Sequence, residues 1–191
     1  MNNSKTKKNF AGRLLSRIGW TPIFPTEAPD RSVICVAPHT SNWDFIIGYL
    51  YYKAWGTGLT PRFLIKKEWF VFPFNLLFKR LGGLPVDRKS GRSSVDQAIA
   101  MLKSSDKLHI GITPEGTRKR REQWKSGFYR IAKGADVPIQ LAKIDYKNKA
   151  VGIIHTLRAD NPDINEAIRE IRSYFDSSMA KYPDHFADLE V

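Results

Sequence analysis

The chain has 191 residues, 42% hydrophobic and 26% charged, with a net charge of +12 and a pI near 9.9. That length suits one domain with a sizeable core, and the composition excludes wholesale disorder. A single cysteine excludes an intrachain disulfide framework and a cysteine-rich zinc site. No uninterrupted apolar run reaches the roughly 20 residues that span a bilayer. The basic start lacks the apolar core and cleavage site of a secretory signal, so the expected setting is the cytoplasm, peripherally on a membrane.

The excess charge is uneven. Lys5, Lys7, Lys8, Arg13 and Arg17 load the amino terminus; Lys66, Lys67, Lys79, Arg80, Arg88, Lys89 and Arg92 load the middle; Arg118 to Arg121 form an unbroken basic run. Such a field attracts anionic membranes, nucleic acid or phosphorylated substrates, and charge alone does not choose among them.

Residues 8–19 place Phe10, Leu14, Leu15 and Ile18 at helical spacing, with Arg13 and Arg17 on another face. This amphipathic helix either packs on the domain or lies in a membrane interface, each basic residue then gaining about 1 kcal/mol from anionic headgroups. Pro22, Pro25 and Pro29 mark an irregular connector. The expected division is residues 1–30, helix and connector with an expected membrane contact, and residues 31–191, the main domain.

Apolar runs predict strands at 32–37, 61–65, 108–112, 137–143 and 150–155, several continuously apolar as in strands buried on both faces. Helical patterns fall at 42–55, 92–104, where Ser93 or Ser94 is the candidate cap, 126–134 and 163–180. The alternation predicts an α/β layer architecture with a largely parallel sheet. Asp145 to Lys149 read as a hairpin turn, so the last strands can be antiparallel. Residues 67–81 are the most apolar and aromatic stretch. Core is their ordinary reading, but apolar residues all round the segment and basic pairs at its ends suit contact with lipid or an acyl chain.

The candidate chemistry lies in two blocks, each directly after a predicted strand. The first is His39-Thr40-Ser41-Asn42-Trp43-Asp44. On an ideal helix its two ends would be about 500° apart and share no face. They meet if His39 sits on the loop and the helix starts near Ser41 or Asn42. Asp44 then accepts the Nδ1 proton of His39 and leaves Nε2 free as a base. Taken alone, a loop histidine followed by a helix-capping aspartate is the plainer reading. The second block, Thr113-Pro114-Glu115-Gly116 with Thr117 and Arg118, fits a β-turn with Pro second and Gly fourth. It also fits a turn that aims Glu115 and an anion-clamping Arg118 into the cleft of His39. Gly83, Asp87 and Arg88 offer a similar position after another short extended run.

Together these blocks resemble the glycerolipid acyltransferase family, including the 1-acylglycerol-3-phosphate acyltransferases of the lysophospholipid acyltransferase superfamily. His39 to Asp44 matches the catalytic block and Gly83 to Arg88 the glycine-to-arginine block. Pro114 to Arg118 matches the Glu-Gly-Thr-Arg block, and Val137-Pro138-Ile139 the Val-Pro-Ile block. The resemblance implies an αβα sandwich and acyl transfer from an acyl-CoA or acyl-carrier-protein thioester to a hydroxyl. His39 would be the general base and Asp44 its orienting partner; Arg88 and Arg118 would bind acceptor phosphate, and Glu115, Gly116 and Thr117 would shape the acceptor site. Backbone N–H groups after the catalytic strand would be oxyanion donors. Pro38 stands where the family commonly has Asn, Thr113 where it has Phe, and Lys119 where Ser is frequent.

The expected reaction needs no metal or cofactor beyond the thioester co-substrate. The expected partners are a thioester donor, which includes acyl carrier protein, a lysolipid acceptor with lysophosphatidic acid favoured, and an anionic membrane surface. No nucleic acid is expected. An aminoacyl lipid or other hydroxyl acceptor, a hydrolase, and a non-catalytic basic membrane-binding protein are the alternatives. Cys35 reads as a small buried hydrophobe, His109 as a hydrogen-bonded core residue, His155 as the end of an edge strand and His185 as part of a polar tail. Trp43 adjoins the site, and Trp124 is a candidate to cover it.

Overall fold

The computed structural model of the chain describes residues 9–59, 61–87 and 93–189. Seven strands are described: β1 (Thr21–Ile23), β2 (Arg31–Ala37), β3 (Arg62–Lys66), β4 (Gly83–Val86), β5 (Leu108–Ile112), β6 (Ile139–Asp145) and β7 (Ala150–Leu157). The described helices are α1 (Phe10–Arg17), α2 (Trp43–Trp55), α3 (Phe74–Leu81), α4 (Ser94–Lys103), α5 (Gly127–Ala135) and α6 (Ile164–Arg172).

Successive side chains of a strand point to opposite faces, and β2 shows what this builds. Val33, Cys35 and Ala37 enter one apolar cluster with residues of α4, α5 and α6. Ile34 enters a second cluster with Ala11 and Leu15 of α1 and Ile47, Tyr51 and Tyr52 of α2. The sheet therefore lies between two helical layers, an αβα sandwich. Cys35 is fully buried, and burial raises its thiol well above the ordinary range.

The strand order is β1-β7-β6-β2-β5-β3-β4, and every neighbouring pair is parallel except β6 with β7. That antiparallel pair closes through the predicted turn, where Lys149 takes a positive φ of 50°. The central order sets β2 directly beside β5 with their carboxyl ends together. Across β2 and β6, Ser32 donates to Gln140 Oε1 at 2.8 Å, a polar pair inside the sheet. His109 of β5 is buried as expected. Its Nε2–H donates to the Pro29 carbonyl at 2.7 Å, so Nδ1 accepts from Tyr52 Oη at 2.8 Å, and burial lowers its pKa.

Several boundaries and placements differ from the expectation. The connector holds β1, a three-residue edge strand that tolerates Pro22 because its outer side needs no donor. A Cβ at Gly152 would lie 2.0 Å from the Ile23 carbonyl oxygen, so β1 docks where β7 has no side chain. β7 is consequently not the edge strand, although His155 lies beyond the stretch paired with β1, faces Leu141 of β6 and stacks on Tyr174 at 5.1 Å. β6 starts and ends two residues later than predicted. The last helix stops at Arg172 rather than 180; Phe175 turns into the core and Asp176 caps a separate 3₁₀ turn at Ser177–Met179.

The described side chains of residues 67–81 are not core. A 3₁₀ turn at Lys67–Trp69 precedes α3, which buries none of its side chains. Phe72 is 81% exposed and Leu76 62%. The amino-terminal helix packs Ala11 and Leu15 inward and leaves Phe10 and Ile18 in solvent. Asn9 caps α1 through Gly12 N–H at 2.8 Å and also donates to the Lys53 and Ala54 carbonyls, joining its start to the end of α2. Ser93 and Asp96 form the capping box of α4. Among the described residues no helix is long and apolar enough to cross a membrane.

Candidate active site

The chain leaves β2 through a cis Ala37–Pro38 bond, and His39 follows on the loop before α2. Asp44 falls in the first turn of that helix and is 2% exposed. Its carboxylate turns back over the loop. Oδ2 accepts the N–H of Thr40 at 2.8 Å and of Ser41 at 2.7 Å, and lies 3.2 Å from His39 Nδ1. A carboxylate only accepts when ionised, so the contact selects the tautomer with the proton on Nδ1. Nε2 then carries a lone pair. Among the described residues nothing occupies it, and 18% of the side chain is open to solvent.

Beside this loop, β5 ends in a β-turn. Gly116 N–H donates to Thr113 O at 3.1 Å, and Gly116 has φ of 67°, a conformation that disfavours a side chain. Pro114 O accepts the N–H of Lys125 at 2.9 Å, fixing the turn to the segment that follows. Glu115 is 5% exposed and accepts the His39 backbone N–H through both carboxylate oxygens, at 3.1 and 2.9 Å. Burial pushes its pKa up to about 8, assisted by the nearby Asp44 charge and opposed by the His39 N–H. Glu115 thus braces the His39 loop from beneath.

Arg118 faces outward. Its Nη1 donates to Asn42 Oδ1 at 2.6 Å, so the two sequence blocks touch directly. Around them lies a cleft of about 470 Å³, lined by Thr40 to Trp43, by Thr117, Arg118 and Lys119, and by Tyr182 and His185. Thr117, Arg118, His39 and Asp44 are therefore gathered at one end of two adjacent strands, where open α/β sheets place ligands. Arg88 lies outside the described residues; β4, which leads to it, is the strand farthest along on that side. Val137 and Pro138 introduce β6, where Pro138 O accepts the Val33 N–H at 3.0 Å.

The amides of His39, Thr40 and Ser41 do not serve as oxyanion donors. Two carboxylates have already taken all three, and the Trp43 N–H goes to Ser41 Oγ at 3.2 Å. Trp124 does not cover the site either; it packs inside the core against Phe175 and Phe186.

The sequence reading missed the carboxyl-terminal wall. Tyr182 and His185 line the cleft, and the Tyr182 N–H reaches Thr40 Oγ1 at 3.3 Å. Lys181 Nζ lies 5.3 Å from the centre of the Trp43 ring and 5.7 Å from that of Tyr182. Arg172 Nη1 donates to Glu122 O at 2.6 Å, and its Nη2 donates to the carbonyls of Ala187 and Asp188, while Arg120 reaches Phe186 O at 3.1 Å. These bonds tie the tail to the segment after Arg118. Their sequence separations exceed any local period, and a cluster of Lys, Tyr and His near the end was the only available signal.

Among the described residues no three His, Cys, Asp or Glu side chains group where they could hold a metal ion. What the site presents is an oriented imidazole beside a cation-lined cleft, with the apparatus to take a proton next to an anion. A comparison with curated proteins gives no match. The model of the family described as Acyltransferase matches residues 12–142, well over half of the chain, and spans both the His39–Asp44 loop and the Glu115–Arg118 turn. The chain belongs to this acyltransferase family, of the glycerolipid or 1-acylglycerol-3-phosphate acyltransferase type.

Proposed function

We propose that the protein is an O-acyltransferase that moves a fatty acyl group from an acyl-CoA or acyl-carrier-protein thioester to the hydroxyl of a lysophospholipid, with lysophosphatidic acid the favoured acceptor. The observation that carries this reading is the 3.2 Å contact between His39 Nδ1 and Asp44, beside a cleft crossed by Arg118. Nε2 takes the acceptor's hydroxyl proton while that oxygen attacks the thioester carbonyl. The tetrahedral intermediate expels the thiolate, which leaves as thiol with the proton from the imidazolium. General-base assistance of this kind contributes about 10²–10⁴ in rate. Asn42 N–H, at the start of α2 and without an acceptor among the described residues, is the loop amide left to meet the oxyanion.

Arg118 and Lys119 on the cleft wall suit an acceptor phosphate, and among the described residues nothing acidic lines that cleft. Phe10 of α1 and Ile18 just after it, Trp43, Phe45 and Ile46 of α2, and Phe72, Phe74, Leu76 and Leu77 at α3 all stand exposed. Arg13, Arg17, Lys79 and Arg80 are interleaved with them. Apolar side chains mixed with cations suit an anionic membrane surface, where both the lysolipid and the acyl chain reside. This supports peripheral membrane association. The deciding experiment supplies purified protein with a long-chain acyl-CoA and lysophosphatidic acid, then follows free thiol and the diacylated lipid by mass spectrometry. Thiol release without acylated acceptor would make the protein a thioesterase.

A further inference from the structure

Tyr146 lies beyond the stretch that the family model matches, yet its hydroxyl donates to Asp44 Oδ1 at 2.8 Å. The other oxygen, Oδ2, receives the Thr40 and Ser41 amides and faces His39 Nδ1. Each side of the carboxylate therefore has its own donor. Among the described residues Tyr146 is the donor to Oδ1, in a group 2% exposed.

The phenol is itself well held. Its backbone N–H donates to Met179 O at 2.8 Å, and its ring meets buried Trp20 edge-on, 5.0 Å between centres at 86°. Burial, and after it the bond to the Asp44 carboxylate, moves its ionisation far above the usual tyrosine range. The hydroxyl therefore remains a neutral donor. Among the described residues the titratable groups facing this assembly include Glu115 beneath the loop, Tyr182, and Lys181, whose Nζ is 6.0 Å from the Tyr146 ring centre.

We propose that Tyr146 is a positioning residue for acyl transfer, holding Asp44 so that its second oxygen orients the imidazole of His39. The proposal rests on the assignment of His39 as the base made above. A carboxylate with one oxygen unpaired would rotate or draw in water, and either response loosens the imidazole. Such a device extends the catalytic unit past residue 142, into the hairpin turn after β6 and the 3₁₀ segment that holds it.

Tyr146→Phe keeps the ring on Trp20 and deletes only the donor. The expected result is a fall in kcat of about tenfold at unchanged KM. The acidic limb of the pH–rate profile should also move up by about half a unit, since a less hydrogen-bonded Asp44 attracts the imidazolium more strongly. NMR titration of the His39 ring in both proteins reads the same coupling without substrate. If His39→Ala is inactive while Tyr146→Phe retains wild-type kcat and an unmoved limb, the positioning role is wrong and the base assignment stands. If the wild-type protein transfers no acyl group to the acceptor tried, an identical His39 midpoint in the two proteins overturns the role, and a raised midpoint supports it.

Discussion

Glu115 holds the backbone of His39 through both of its carboxylate oxygens, although 76 residues separate the two in sequence. The contact exists because β5 pairs directly with β2, which brings the two loops side by side. A buried carboxyl that accepts one amide is a brace with a proton-dependent strength.

That brace gives a pH signature. The carboxyl of Glu115 is raised from an ordinary 4.5 to about 8 by burial, so the folded state holds a proton that the unfolded chain has released. Its contribution to stability is complete below pH 4.5 and is lost as pH rises through 8. Glu115→Gln removes this dependence. The variant should gain in Tm over the wild type between pH 6 and pH 9, by about 2–4 °C for each kcal/mol of relief. Scanning calorimetry at both pH values checks it, and parallel Tm curves for the two proteins would contradict the assignment.

His39→Ala should lower kcat by about 10²–10⁴ with the circular dichroism spectrum unchanged. Asp44→Asn should fall in the same range, since the amide can present a donor to Nδ1 and favour the wrong tautomer. Full turnover by His39→Ala would remove the proposed base.

Arg118→Ala should raise the acceptor's KM about tenfold or more, the scale of one charge-assisted hydrogen bond, and leave kcat nearly intact. The same comparison with a neutral monoacylglycerol should show no such change. An equal effect on both acceptors would place Arg118 in support of Asn42 rather than on the phosphate.

Leu76→Asp and Leu77→Asp test the membrane face. Both leucines are more than half exposed, so the substitutions should leave Tm unchanged. Each removes about 1.5–3 kcal/mol of burial in a lipid interface, and partition onto phosphatidylglycerol vesicles should fall at least tenfold. Sedimentation with vesicles measures this; unaltered partition would exclude α3 from the contact.

The sequence carried the layered architecture because the strands near 32–37 and 108–112 and the helices between them have strong, uninterrupted patterns. It carried the two blocks of the site because each follows a strand directly. It did not carry β1, whose three residues include a proline and whose pairing depends on a distant glycine. Periodicity could not decide whether residues 67–81 are covered, since composition does not reveal which neighbours exist. Tyr146 and Tyr182 reach the site over separations of 102 and 142 residues, which no local pattern encodes. Which of the backbone amides after β2 stay free for an oxyanion was equally illegible, since only the folded loop shows that carboxylates occupy those of His39, Thr40 and Ser41.

The cations around the cleft have neutral companions. Arg118 rests on the Asn42 side-chain oxygen and Lys181 against ring faces. None of these partners cancels a positive charge, so the potential at the mouth extends into solvent instead of closing on itself. Anionic molecules diffusing nearby are drawn toward it, and added electrolyte screens that pull over about 10 Å at 0.1 M. Encounter, more than residence, is the step this arrangement accelerates.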